Sequence, residues 1–97
     1  MTPWTAVQAR RFSRAYKKLA PQARQACNQA VIQVLGDPRI GQLKRGDLAS
    51  LRVHKFEAGA RIFLLGYTLD TPLCLVYLQA VGLHENYYRD LKKSLNR

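Results

Sequence analysis

Basic side chains alternate with apolar ones in one segment of the chain, and this pattern suits phosphate chemistry. The residues from Leu48 to Phe56 are typical of a β-strand, in which successive side chains point to opposite faces. Arg52 and His54 therefore share one face, and we expect Leu51 and Val53 to pack into the core from the other. Arginine offers forked donors to a phosphate, and histidine exchanges a proton near neutral pH. Solvated charges on an exposed sheet face would give the same pattern.

Further side chains of this kind stand at the ends of the strands that follow. Arg61 opens the next strand after a tight turn, so we expect it near the end of the row of cations. After the last strand, residues His84–Arg89 form a predicted junction between strand and helix, where functional side chains often collect. The spacing from Tyr88 to Leu95 also suits a helical packing stripe, so only one of Tyr87 and Tyr88 need be functional.

The other residue types of the chain argue against several common kinds of catalytic site. The six acidic residues are scattered and fall mostly in predicted turns, which disfavours a two-metal site. No glycine-rich phosphate loop and no Ser-His-Asp spacing is present. We therefore expect no metal and no cofactor. RNA is then the easier substrate, because its own 2′-hydroxyl can attack the adjacent phosphate, and the protein need supply only a base, an acid and cations.

Apolar periodicity predicts the elements that position these side chains. Two helical stripes, broken at Ala20 and Pro21, indicate an antiparallel helical hairpin that ends at Gly36. Three strands follow, and their short connections require antiparallel pairing. The predicted ranges are 4–7 for a short first strand, 9–19 and 21–36 for the helices, 48–56, 60–70 and 73–81 for the strands, and 86–95 for a short basic helix. The predicted fold is α+β, with the hairpin packed on a three- to four-stranded antiparallel sheet.

The bulk properties indicate one basic domain spanning residues 1–97. Sixteen Lys and Arg against six Asp and Glu give a formal net charge of +10, which favours a nucleic-acid partner. No apolar run is long enough to cross a membrane, and the first residues lack a signal-peptide core, so we expect a cytoplasmic protein. Cys27 and Cys74 form no metal-ligand pair and are expected to be isolated thiols.

Three segments together resemble the RelE/ParE superfamily of toxins from type II toxin-antitoxin systems. Residues 43–48 and 51–55 resemble the L-K-G-D-L start of that family's first long strand. Residues 59–63 resemble its G-x-R hairpin, and residues 82–89 resemble its closing segment, in which a basic residue and then a tyrosine follow a glycine. The resemblance covers nearly the whole chain and implies the RelE-like fold.

The resemblance also implies roles for individual side chains. Arg61 matches a phosphate-contacting arginine of the family, and Arg52 would be a second clamp. The base would be Tyr88 or His84, and the acid His84 or His54, although His54 stands where a lysine or arginine is more usual. The other side chains expected to bind substrate are Lys44, Lys55, Tyr87 and Arg89.

The function implied is a toxin that cuts messenger RNA on the ribosome and is held in check by a cognate antitoxin. The expected partners are therefore the antitoxin, the ribosome and mRNA, without a membrane or a small-molecule cofactor. Two alternatives stay open. One is a ParE-type inhibitor of DNA gyrase without RNase activity, since this scaffold carries both functions. The other is a non-catalytic basic nucleic-acid-binding module, although the sequence lacks the aromatic platform typical of such modules.

Overall fold

Two helices pack on one face of a five-stranded sheet. The computed structural model describes residues 3–44 and 50–85. The elements in chain order are β1 (Thr5–Gln8), α1 (Arg10–Lys18), α2 (Pro21–Gly36), β2 (Gln42–Leu43), β3 (Arg52–Ala58), β4 (Arg61–Asp70) and β5 (Leu75–Leu83). The predicted C-terminal helix and the beginning of the strand predicted over 48–56 lie outside the described residues. Among the described residues, no helix is long and apolar enough to cross a membrane.

The helices form where the apolar spacing predicts them. In α1, Phe12 is buried while its basic neighbours stay outside. Pro21 begins α2, where its fixed φ suits the first turn and its missing N–H leaves no bond unmade. The helix ends at Gly36, and the Asp37 N–H closes the last turn on the carbonyls of Gln33 and Val34. The predicted hairpin is confirmed.

The sheet has the order β1-β5-β4-β3-β2. Strands β3, β4 and β5 pair antiparallel, as their short connections require. The two-residue turn between β3 and β4 begins with Gly59 at a φ of 62°, a conformation that favours glycine.

The predicted fold class is confirmed, but the strand number and the pairing differ from the prediction. The two-residue strand β2, which is too short to give a sequence pattern, was missed. The first strand, β1, runs parallel to β5 at the sheet edge, with Thr5 opposite Leu75. Local sequence does not encode a pairing across some seventy residues, so the prediction of a purely antiparallel sheet was wrong.

The core lies between the helices and one face of the sheet, here called the helix face. Phe56, Phe63 and Leu65 point there and join Phe12 and Cys27 in one buried cluster. Cross-strand partners of an antiparallel pair share a face. The opposite face, here called the far face, therefore carries Val53, Lys55, Ile62, Leu64 and Gly82.

The face assignment predicted for β3 was wrong. Val53 and Leu51 are buried, but they belong to a second, small cluster with Leu64 on the far face. Arg52 and His54 share the face of Phe56, which the helices cover. The alternation itself was correct, but β3 carries apolar residues on both faces, so the pattern could not identify the face that meets the helices.

A buried tyrosine anchors the segment between α2 and β2. The Tyr67 hydroxyl donates to the Pro38 carbonyl at 2.7 Å and accepts from the Gly41 N–H at 2.9 Å. A Cβ on Gly41 would lie 2.7 Å from that hydroxyl, so only glycine fits. The Arg52 guanidinium donates a further hydrogen bond to the Gly41 carbonyl, at 3.1 Å. These contacts fix the start of β2 against β3.

Candidate functional site

Two adjoining depressions lie on the far face and share Lys55 and His84. The first has a volume of about 510 Å³, and the second leads from it towards β2. The first is lined by Lys55, Ala60, Arg61, Ile62, Leu83, His84 and Glu85. The second is lined by Ile40, Gln42, Lys44, Val53, His54, Lys55, Leu64 and His84.

Lys55 and His84 come from different strands and meet because of the sheet register. Lys55 of β3 is opposite Leu64 of β4, which is in turn opposite Gly82 of β5. His84 follows directly after β5, two residues beyond Gly82. Both side chains are exposed and line both depressions. An ammonium group and an imidazole therefore border one space.

Arg61 lies at the rim of the first depression and also lines a groove on the helix face. It opens β4 directly after the Gly59 turn, and its guanidinium is 3.8 Å from a carboxylate oxygen of Glu85. Both side chains are well exposed, at 62% and 72%, so water screens the pair and the contact is weak. A phosphate could displace the carboxylate. No sequence pattern marks Glu85 as part of this site, because its contact with Arg61 joins two separate parts of the chain.

The structure does not bring Arg52 to these depressions. Its guanidinium is half-buried against the Gly41 carbonyl on the helix side. His54 lies on the rim of the second depression, but its Nε2 is 3.0 Å from the Oε1 of Gln33 in α2. Burial lowers the pKa of His54, because the charged imidazolium loses water there. His54 thus contacts α2, and Arg52 contacts the segment that follows α2. The alternation of side chains along β3 could not predict these contacts.

The other predicted substrate-binding residues are divided between the second depression and the chain outside the described residues. Lys44 follows β2 and lines the second depression, with its ammonium 3.2 Å from the Gln42 side-chain oxygen. Tyr87, Tyr88 and Arg89 lie outside the described residues. Ile62, which no pattern had marked, is 45% exposed on the wall of the first depression and adds an apolar surface between the cations.

The arrangement can bind an anion and move a proton. Lys55 and Arg61 can stabilise negative charge in the first depression, and the imidazole of His84 can give or accept a proton beside them. Among residues 3–44 and 50–85, no three His, Cys, Asp or Glu side chains cluster as a metal site would require.

Solved structures with this fold come from toxin-antitoxin systems. The chain matches a mutant of the E. coli toxin RelE in the free state with a TM-score of 0.71 and 20% identity, over 95% of this chain and 98% of that one. It matches a chain of the RelBE2 toxin-antitoxin complex from Mycobacterium tuberculosis with a TM-score of 0.69 and 24% identity, over 86% of this chain and 100% of that one. At these identities the likeness establishes the fold.

Sequence comparison with families identifies the chain itself. No curated protein matches it. A family described as the ParE-like toxin of type II bacterial toxin-antitoxin systems matches residues 6–92, nearly the whole chain. The resemblance that the three sequence segments carried is thereby confirmed. The chain belongs to the ParE-like toxin family of type II bacterial toxin-antitoxin systems.

Proposed function

We propose that this toxin inhibits translation by cutting messenger RNA on the ribosome. The observation that carries the proposal is the meeting of Lys55, Arg61 and His84 around one depression on the far face. Cations alone would suit any nucleic acid. A histidine beside two cations also supplies the proton transfer that phosphodiester cleavage needs.

The proposed reaction is an intramolecular displacement in the RNA. The 2′-oxygen forms a bond to the adjacent phosphorus as the bond from phosphorus to the 5′-oxygen breaks. A base takes the proton of the 2′-hydroxyl, and an acid gives a proton to the departing 5′-oxygen. The products are a 2′,3′-cyclic phosphate and a 5′-hydroxyl. Lys55 and Arg61 would stabilise the charge that develops on the phosphoryl oxygens.

The proton-transfer roles follow from position and from the family resemblance. His84 lines both depressions and is the proposed acid. Tyr88, outside the described residues, is the proposed base. The contributions of His54 and Arg52 to cleavage stay predictions, since their hydrogen bonds join them to the helical side.

The net charge supports a ribosomal site of action. At +10, the chain can neutralise many phosphates of ribosomal RNA as well as those of the message. Binding through phosphate contacts releases counterions, so association with ribosomes should weaken steeply as salt rises.

We also propose that a cognate antitoxin holds this toxin. Two of the structures that share its fold, RelBE of E. coli and RelBE2 of Mycobacterium tuberculosis, are complexes of a toxin with its antitoxin. A partly acidic antitoxin would complement the charge of this chain and cover its cations.

The test is a translation reaction with purified toxin, in which primer extension maps the ends of the message. We expect ribosome-dependent cuts, and a loss of roughly 10²–10³-fold in cleavage rate for Arg61→Ala or His84→Ala. Lys17→Ala is the matched control, because it removes one exposed charge from α1, on the helical side of the sheet. It should retain most of the activity.

A gyrase supercoiling assay in parallel distinguishes the alternatives. Intact message together with inhibited supercoiling would overturn RNA cleavage in favour of gyrase inhibition. If both reactions proceed normally while the protein still binds RNA, the chain is a binding module without catalysis.

A further inference from the structure

Gly82 lies on the far face between two residues that line the proposed site, Leu64 opposite it and His84 two residues after it. It belongs to β5, opposite Leu64 of β4, in the row that begins with Lys55 of β3. It comes two residues before His84. A glycine within a strand weakens the strand, since it packs no side chain and loses more conformational freedom on folding. Its presence at this position needs a reason.

The usual structural reasons for a strand glycine do not apply to Gly82. Its φ is not positive, unlike that of Gly59. The irregularity of the β4–β5 pairing lies between Gly66 and Tyr67, opposite Ala80 and Leu78, and Gly82 pairs regularly with Leu64. Among the described residues, a Cβ built on Gly82 would meet nothing within 4 Å, so no close neighbour excludes a side chain.

Gly41 shows what a structurally required glycine looks like in the same chain. There a Cβ would lie 2.7 Å from the Tyr67 hydroxyl, which is itself fixed by two hydrogen bonds. Gly36, in contrast, resembles Gly82 in having open space at its Cβ position, but it lies at the end of α2. Gly41 is therefore a comparison position where a Cβ would clash, and Gly36 is one where a Cβ would meet no described atom within 4 Å.

We propose that Gly82 leaves room for the substrate: the ribose-phosphate of the cut dinucleotide lies in van der Waals contact with the bare backbone of β5, between Lys55 and His84. This inference rests on the proposed function, because it takes RNA as the ligand of the site. A side chain at position 82 would lift the RNA from the sheet by the thickness of a methyl group. The scissile phosphate would then move away from the side chains that act on it.

The experiment compares Gly82→Ala and Gly82→Val with Gly36→Ala and Gly41→Ala. Single-turnover cleavage is measured on ribosomes programmed with one message, over a range of toxin concentrations. We expect the maximal rate to fall roughly ten- to a hundredfold in Gly82→Ala, the size of effect that a displacement of about 1 Å produces. Gly82→Val should lose more, although valine favours strands.

Urea unfolding of the same four variants separates a site effect from a folding effect. We expect the midpoint of Gly82→Ala to equal or exceed that of the wild type, as for Gly36→Ala, because the added methyl meets no atom of the described residues within 4 Å. Gly36→Ala should also cut at the wild-type rate. Gly41→Ala should unfold at clearly lower urea.

Two outcomes overturn the inference while the proposed function stands. One is wild-type cleavage by both Gly82 variants. The other is a fall in the unfolding midpoint of Gly82→Ala as large as that of Gly41→Ala, which would mean that the chain itself uses the space.

A wild-type toxin that makes no cuts overturns the proposed function instead. A binding measurement then tests the inference separately. It uses ribosomes whose message carries a 2′-O-methyl group at the target nucleotide, and it compares the association of each toxin variant with them. Weaker association of Gly82→Ala than of the wild type supports it, and equal association overturns it.

Discussion

Replacing Tyr67 by phenylalanine tests the anchoring of the segment before β2. The ring of Tyr67 is fully buried, and its hydroxyl makes two hydrogen bonds, one from the Gly41 N–H and one to the Pro38 carbonyl. Tyr67→Phe removes one oxygen and leaves both partners in place. The packing of the ring should stay the same, so the change isolates the two hydrogen bonds.

The expected loss of stability follows from the burial of the two partners. The bond to the Gly41 N–H is buried, and an unsatisfied buried donor costs about 1–3 kcal/mol. The bond to the Pro38 carbonyl is only partly buried, so water can replace the hydroxyl there at little cost. We therefore expect the free energy of unfolding to fall by about 2 kcal/mol. For a domain of this size, that lowers the Tm by roughly 10 °C.

Urea and thermal unfolding, followed by the fluorescence of Trp4, measure this loss. Trp4 is the one tryptophan of the sequence and packs against the core. The matched control is Tyr16→Phe, which removes an exposed hydrogen bond of 2.7 Å to the side chain of Asn28. Because water reaches that site, we expect the control to lie within about 0.5 kcal/mol of the wild type.

Hydrogen exchange gives a second readout at the same place. The Gly41 amide should exchange faster in Tyr67→Phe than in the wild type, since its acceptor is gone. Equal stability of the two phenylalanine variants, with Gly41 protection unchanged, would refute the anchoring role of the hydroxyl.

Two further predictions concern groups whose pKa is shifted by partial or full burial. Burial lowers the pKa of His54, so below its ordinary value of 6.5 the unfolded chain binds more protons there than the folded one. The free energy of unfolding should fall as the pH drops from 6.5 towards the lower native pKa, and it should level off below that pKa. The fall should be smaller in His54→Gln. Equal pH dependence of the two proteins in urea unfolding would contradict this. Burial also raises the pKa of the Cys27 thiol to about 11, so a thiol reagent near pH 8 should label Cys74 in the folded protein and Cys27 only in urea. Rapid labelling of both thiols in the folded state would show that Cys27 is accessible.

Element types and most boundaries could be predicted because they depend on local periodicity. Each of the correctly predicted features depends on a few neighbouring residues. These features are the apolar stripes around Phe12 and Cys27, the helix break at Pro21 and the turn at Gly59. The position of β1 could not be predicted, since its pairing with β5 depends on contacts between the two ends of the described chain.

Some of the residues that border the candidate site could be named from the sequence, but their arrangement could not. Arg61, Lys55 and His84 do border one depression. Arg52 and His54 instead make hydrogen bonds to Gly41 and Gln33. Which face of β3 the helices cover is decided by the packing of the whole sheet, and the sequence of one strand does not contain that information.

The parallel pairing of β1 with β5 also sets the order in which the molecule can be completed during synthesis. The first strand to be made pairs only with the last strand among the described elements. Helix α1 likewise secures β5, through the bond from Arg11 to the Gln79 carbonyl. Strand β1 therefore has no partner until β5 has been translated, some seventy residues later. A ribosome making this toxin carries an unfinished sheet until β5 has left it.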